Sequence, residues 1–439
     1  MRRFLFEVTI MIAVLFVVQS SGADQHVQFA DDYSSEVASV WFDTLYKTIE
    51  SESIAFPEAA RIYGVSAVAL YESVVPGALQ HRSLAGQLNS LVAVPQPDGL
   101  EQLHWPTVAN AALAGTIQGL LPSLKPENLK AINRLEQTFA SRFRAEASPS
   151  LSYERSVSHG RTVANAILGW AASDGYTLFN SCQHVPSGGP GSWRPTPPGF
   201  LEAEQPCWSQ LRPMVLTSGA ECTAPNPPEF STAPDSEFYA AALEVYETSR
   251  NLTDEQRATA RYWGDLVGMT GTSSGHWIAI VGQIARTDGL SLAATAEAYA
   301  RVGITASDVF ITIWQTKYFY NLVRPVTYIQ DSIDPTWLPL LVTPRNPSYL
   351  SGHSTQSGAT ATVLTALFGD KAFTDTTHAD FGLVPSQAPR TFSSFNQAAE
   401  EAAVSRLYGG IHYPFDNNDG LSTGRCVGQA INDRVEFKR

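Results

Sequence analysis

Positive charge is scarce in this chain: 29 Lys and Arg stand against 42 Asp and Glu, a formal net charge of −13. Non-specific nucleic-acid binding needs a basic surface, so no nucleic-acid partner is expected. Charged residues of both signs reach only 16% while apolar ones reach 44%, which argues against long disorder. The 439 residues are ample for a large core. Cysteine is nearly absent as well, with Cys182, Cys207, Cys222 and Cys426 alone and no CxxC spacing. Neither a zinc site nor a redox dithiol is therefore expected. Four cysteines allow three disulfide pairings that sequence does not separate. One pair among Cys182, Cys207 and Cys222, which bracket a loop, is the expectation, with free structural thiols as the alternative.

Long apolar runs are missing except at the start. Arg2 and Arg3 precede an apolar run from Phe4 to Val18, broken only by Glu7 and Thr9, and Ser21-Gly22-Ala23 follows. This pattern predicts a secretory signal peptide over 1–23, an N-terminal anchor being the alternative. The expected location is secreted or periplasmic, with no stable membrane insertion after cleavage and an oligomeric state left open.

Strand-like alternation is also scarce, and what fills the chain is helical periodicity. Apolar spacing predicts helices over 59–75, 103–121, 126–145 and 152–172, with Pro126 suited to a first helical position. From about 174 to 234 Pro, Gly, Ser and Trp accumulate, which reads as one irregular excursion and not a hinge between domains. Helices resume near Ser236; Thr253-Asp-Glu-Gln256 and Ser394-Phe-Asn-Gln397 are capping-box patterns. One or two helices are expected over 292–323, and another over 420–435. The fold class is mainly α, built as helical bundles, with 24–439 as one domain.

Three stretches carry the chemistry. Ser351-Gly352-His353 stands before an Ala/Thr/Leu-rich run ending at Gly369, a helix start whose free N–H groups suit an oxyanion. Upstream, Lys317 and Arg324 are seven apart, which on a helix is nearly one face; Pro325 places Arg324 at a helix end. Downstream, Arg406 and His412 are separated by Gly409-Gly410, which breaks the helix and turns His412 back. Asp416 follows His412 at i+4, where its carboxylate can hold Nδ1–H. Lys317, Arg324 and Arg406, with His353 optional, make a cationic pocket in an acidic protein. Each cation about 4 Å from a unit anion gains about 4 kcal/mol at an effective dielectric near 20, before desolvation. Without an anion such cations repel, so phosphate or vanadate is the natural occupant.

Taken in order, Lys-x6-Arg-Pro, Ser-Gly-His and Ser-Arg-x5-His-x3-Asp resemble the three-part signature shared by vanadium-dependent haloperoxidases and type 2 phosphatidic-acid phosphatases. Trp193-Arg-Pro-Thr-Pro-Pro198, Gly275-His-Trp277, Trp314 and His412-Tyr-Pro-Phe-Asp416 resemble the haloperoxidase branch. The resemblance implies vanadate as cofactor, held through its oxygens by Lys317, Arg324, Ser351, Gly352 and Arg406, with His412 as the metal ligand. It implies His353 as acid/base, Lys317 as the group polarising hydrogen peroxide, Asp416 orienting His412, and halide and a small organic acceptor as partners. Trp314 and Asn346 are its halide-site candidates; the family commonly has an aromatic residue or a histidine where Asn346 stands. Two other activities use the same residues: a metal-free phosphatase with His412 as nucleophile, and a non-catalytic oxyanion binder. Ser274-Gly275-His276 repeats the tripeptide and reads as core or as cavity wall.

Overall fold

The computed structural model describes residues 28–97, 103–147, 150–179, 182–185 and 188–439. The expected signal peptide over 1–23 lies outside the described residues. The first half runs through α1 (Glu36–Glu52), α2 (Phe56–Val74), α3 (Trp105–Leu120), α4 (Pro126–Glu146) and α5 (Ser150–Ala171). After the irregular stretch come α6 (Glu237–Arg250), α7 (Asp254–Tyr262), α8 (Thr272–Thr287) and α9 (Leu292–Tyr320). Next are α10 (Pro325–Ser332), α11 (Gly352–Phe368), α12 (Thr377–Phe381), α13 (Phe395–Tyr408) and α14 (Pro414–Arg434). Two three-residue strands, β1 (Phe373–Asp375) and β2 (Arg390–Phe392), pair antiparallel with Phe373 opposite Phe392. The helical-bundle class is what the structure has.

Local sequence sets most of these boundaries. A proline in the first turn opens α2, α3, α4, α10 and α14, where its missing N–H costs nothing. Thr253 and Gln256 form the full reciprocal box at α7. At α13, Ser394 caps Gln397 N–H, but the Gln397 side chain reaches back one residue further and accepts from Ser393.

The region expected as one or two helices is a single one. Helix α9 spans 29 residues, about 44 Å of rise, and is buried along most of its length. It packs against α2 on one side and α11 on another; α11 in turn packs on α14 and α13. A Cβ on Gly424 would overlap the Thr355 carbonyl oxygen, and one on Gly358 would lie 2.6 Å from that of Leu421. Glycine at both positions is what lets α11 and α14 approach so closely. One apolar core joins residues from Ala30 to Phe437. Among the described residues no helix is long and apolar enough to cross a membrane.

Among its described residues the 174–234 excursion holds two short 3-10 turns, Tyr176–Leu178 and Trp208–Gln210, yet it is firmly anchored. The buried Asp308 carboxylate in α9 accepts the N–H groups of Met214, Val215 and Leu216 at 2.6–2.9 Å. Cys182 pairs with Cys207 inside the excursion, and Cys222 pairs with Cys426 in α14, 204 residues away. One expected pair is present, and the fourth cysteine closes a second. Replacing Cys222 and Cys426 by serine is expected to cost about 2–5 kcal/mol, because a long loop is freed in the unfolded chain. Urea unfolding under non-reducing conditions measures this; an unchanged midpoint would contradict it.

Candidate active site

The three stretches meet at one cavity of about 520 Å³. Its floor is made by Lys317, Arg324, Asn346, Gly352, His353, Arg406 and His412. The convergence of Lys317 and Arg324 differs from the one-face expectation. Helix α9 stops at Tyr320, Asn321 turns the chain in the left-handed conformation (φ 48°), and Arg324 is the extended residue before α10. A chain reversal, not a shared helical face, brings the two cations together. Arg406 comes from the last turn of α13, and Gly410 (φ 75°) swings the chain so that His412 points back at the cavity.

Each floor residue is held. Lys317 Nζ donates to the carbonyls of Pro347 at 2.7 Å and Ser348 at 3.0 Å. Arg324 is fully buried and donates to Asn346 O, Asn346 Oδ1 and Ile411 O at 2.7–2.8 Å. Its Nη1 also lies 3.1 Å from His412 Nε2. His412 Nδ1–H donates to Asp416 Oδ2 at 2.8 Å, which fixes the tautomer and leaves the Nε2 lone pair facing the floor. Asp416 Oδ2 also accepts from Ser348 Oγ and Tyr413 N–H.

Two expected site residues have partners of their own in the structure. The Ser351 hydroxyl caps its own helix, accepting from Ser354 N at 3.4 Å and from Ser354 Oγ at 2.7 Å, and it does not line the cavity. A serine at an N-cap satisfies the nearest free N–H groups first. The Asn346 carboxamide, offered as a halide site, is committed to Arg324 and to the buried carboxyl of Glu204. Trp314 does line the cavity, its Nε1–H donating to Glu204 O.

Little in the sequence announces what stands behind His353. Asp265 Oδ2 lies 3.3 Å from His353 Nε2, and neither atom has an aligned hydrogen-bond partner. The other oxygen, Oδ1, meets His276 Nδ1 at 2.9 Å, and His276 Nε2 meets Asp375 Oδ2 at 2.7 Å. Asp375 Oδ1 is held in turn by Thr377 N–H and Oγ1–H. His276 is therefore neither plain core nor wall: it is the central link of a buried row Asp375, His276, Asp265, His353. Asp265 sits in an irregular turn between α7 and α8 and belongs to none of the motifs. The one available signal was the repeated Ser-Gly-His, because a histidine inside an apolar helix needs a polar partner.

Electrostatics divide the site in two. Both ring nitrogens of His276 face carboxylates, which only accept, so the ring carries both protons. Burial opposes that charge, but Asp265 and Asp375 outweigh it and raise the His276 pKa to about 10. Asp265 is held well below the usual carboxylate range by His276 and then His353, against its own burial. On the floor burial is the first cause throughout; it acts alone on Arg406, against Asp265, and is joined by repulsion from neighbouring cations at Arg324, Lys317, His412 and His353. These effects lower Arg324 and Arg406 to about 10, Lys317 and His412 well below their ordinary values, and His353 to about 4.

The His276 proton has a consequence for stability. Its pKa lies near 10 in the folded chain against an ordinary 6.5, so its contribution is complete below about pH 6.5 and is lost as pH rises towards 10. His276→Gln should flatten the fall in unfolding free energy across that window. Urea titrations at its two ends measure the slope, and an unchanged slope would contradict the assignment.

An oxyanion fits this floor on three observations. Buried cations are crowded together, the Arg406 Nε has no partner, and a Cβ on Gly352 would project into open space at the start of α11. The groups gathered there, Lys317, Arg324 and Arg406, are cationic donors, and such donors favour an anion.

Comparison with known proteins agrees. Residues 297–438 match the family described as the VCPO second helical-bundle domain. A bacterial vanadium-dependent iodoperoxidase structure superposes with a TM-score of 0.85 at 34% identity, over 92% of this chain and 97% of that one. The chain belongs to the vanadium-dependent haloperoxidase family. A holo-type bacterial vanadium-dependent chloroperoxidase shares the haloperoxidase fold with a TM-score of 0.68 at 16% identity, over 87% of this chain and 93% of that one. The vanadium-dependent bromoperoxidase of Ascophyllum nodosum is 38% identical over a stretch covering 19% of this chain and 17% of that relative. The chain thus spans about a sixth of that curated haloperoxidase.

Proposed function

We propose that this chain is an exported vanadate-dependent haloperoxidase that oxidises halide with hydrogen peroxide to hypohalous acid, residues 24–439 working as one helical domain. The observation that carries the reading is the buried set Lys317, Arg324, Arg406, His353 and His412 around Gly352, in a chain 34% identical to an iodoperoxidase across 92% of its length. Lys317, Arg324, Gly352 and Arg406 would hold the oxygens of vanadate, and His412 Nε2 would be its metal ligand. Vanadium at +5, when bound, supplies a Lewis-acid centre that makes peroxide oxygen electrophilic without changing its own oxidation state.

The chain's residues do the rest. His353, neutral because burial and then Arg406 lower its pKa to about 4, is ready to take a proton from hydrogen peroxide. Asp265 steadies the resulting imidazolium. Lys317, at hydrogen-bonding reach of carbonyls that an incoming oxygen can replace, stabilises negative charge on peroxide oxygen. Asp416 keeps the His412 lone pair aimed. The sum is one halide, one peroxide and one proton giving hypohalous acid and water. Iodide is the proposed halide, following the iodoperoxidase relative. The two disulfides fit an oxidising compartment, in keeping with secretion.

Incubation with orthovanadate followed by iodide and peroxide should give triiodide, and excess phosphate should suppress it by competing for the floor. Release of product from an aryl phosphate, with no halide oxidation by the vanadate-loaded protein, would replace this reading with the phosphatase one.

A further inference from the structure

One carboxyl stands in a cavity whose floor is cationic. Among the described residues that line it, Glu204 is the only Asp or Glu, and it comes from the excursion, outside every motif. Its backbone is pinned on two sides. Glu204 N–H donates to Arg345 O at 2.9 Å, and Glu204 O accepts from Trp314 Nε1 and from the Tyr318 hydroxyl, both on α9. The side chain is only 8% exposed, yet its partners are sparse for a buried acid. The Asn346 carboxamide donates to it, and the Arg345 guanidinium lies 3.4 Å away while itself 50% exposed.

Charge decides what this pair does to an incoming ion. A halide must cross from water, past a chain of net charge −13, to the floor. Of the Lys and Arg side chains lining the cavity, Lys317, Arg324 and Arg406 are buried and Arg345 alone reaches solvent. A positive charge at an opening raises the local concentration and entry rate of an anion. An ionised Glu204 beside Arg345 cancels that charge, and a protonated one leaves it free. Burial raises the Glu204 pKa above its ordinary 4.5, against the pull of Arg345 and Asn346. The other groups that face Glu204 are Tyr318 and, through the Asn346 carboxamide, Arg324. Burial raises the Tyr318 hydroxyl, so in acid the carboxyl is the one of the two that changes charge.

We propose that Arg345 receives the halide at the mouth and that Glu204, by carrying or losing a proton, sets how freely the ion passes to the floor. The proposal rests on the haloperoxidase reading. As pH falls through the range above 4.5, Glu204 gains its proton, Arg345 loses its counter-charge, and iodide enters more readily. Both residues act on the approach of the ion and neither touches the reacting oxygen.

In the vanadate-loaded protein, KM for iodide should rise with pH across that range. At about pH 7 it should be about tenfold lower in Glu204→Gln, where its pH dependence should also flatten, and about tenfold higher in Arg345→Gln. The double variant, neutral again at the mouth, should return to near the wild-type value. KM for hydrogen peroxide, which carries no charge, should follow none of these changes. Equal movement of the two KM values would mean that Glu204 only props Asn346 against Arg324, and it overturns the proposal. A second readout needs no turnover. All nine tryptophans are buried and Trp314 alone lines the cavity, so the iodide quenching of fluorescence that Trp314→Phe removes reports ions arriving at its wall. Without peroxide, that component should be quenched more strongly in Glu204→Gln and less in Arg345→Gln, while uncharged acrylamide quenches both as it does wild type. Iodide quenching equal to wild type in both variants overturns the proposal. If quenching moves as expected but no triiodide forms, the haloperoxidase reading fails and the anion entrance stands.

Discussion

Replacing His412 by alanine is expected to leave a folded protein that retains no vanadium through gel filtration and has lost at least about 10²-fold of its iodide oxidation. The lower bound follows from outer-sphere partners of metal ligands, whose removal alone costs about 10–100-fold. The residue removed here is the proposed ligand itself. The fold should survive because Asp416 keeps Ser348 Oγ and Tyr413 N–H as partners when the imidazole is gone. Far-ultraviolet circular dichroism checks the fold, and metal analysis with the triiodide assay checks the site. Full vanadium occupancy with undiminished turnover would remove His412 from the chemistry.

His353→Ala is expected to separate binding from catalysis. Three cationic side chains and Gly352 remain to hold the oxyanion, so vanadium should be retained. Turnover should fall by about 10²–10⁴, the usual worth of a positioned acid/base. The pH profile carries a second signature. Burial first, then Arg406, hold the His353 pKa near 4, with Asp265 pulling it upward. Activity in wild type should therefore decline only as pH falls towards that value. Removing the upward pull in Asp265→Asn should move this acid limb to lower pH, along with a loss of turnover. The substitution keeps an oxygen acceptor for His276 Nδ1–H, so a merely structural role for Asp265 predicts no shift of the limb. An unmoved limb would sever Asp265 from His353.

What could be read in the sequence was what local chemistry dictates. Pro126, the Thr253–Gln256 box, Gly369 and the Gly409-Gly410 break sit at boundaries that the structure has, because caps and breakers act within a few residues. The excursion was legible in its Pro and Gly content. The ordered motifs named the cationic floor. Long-range partners were not legible. Asp265 and His276 reach His353 from segments 88 and 77 residues away, and Asp375 arrives on a three-residue strand with no periodic pattern to announce it. Cys426 finds Cys222 across 204 residues. The seven-residue spacing of Lys317 and Arg324 suggested a helical face where a left-handed Asn321 does the work. Asn346 and Ser351 were placed at the site by position; what the sequence did not show is that the first also holds Arg324 and the second also caps its helix.

Vanadium per chain, measured on protein reconstituted with orthovanadate and read alongside iodide oxidation by the same sample, tests the account most directly. One vanadium per chain is expected, with triiodide formed only when it is present and lost when phosphate displaces it. A protein that takes up no vanadium, or takes it up and oxidises no halide, would contradict the account.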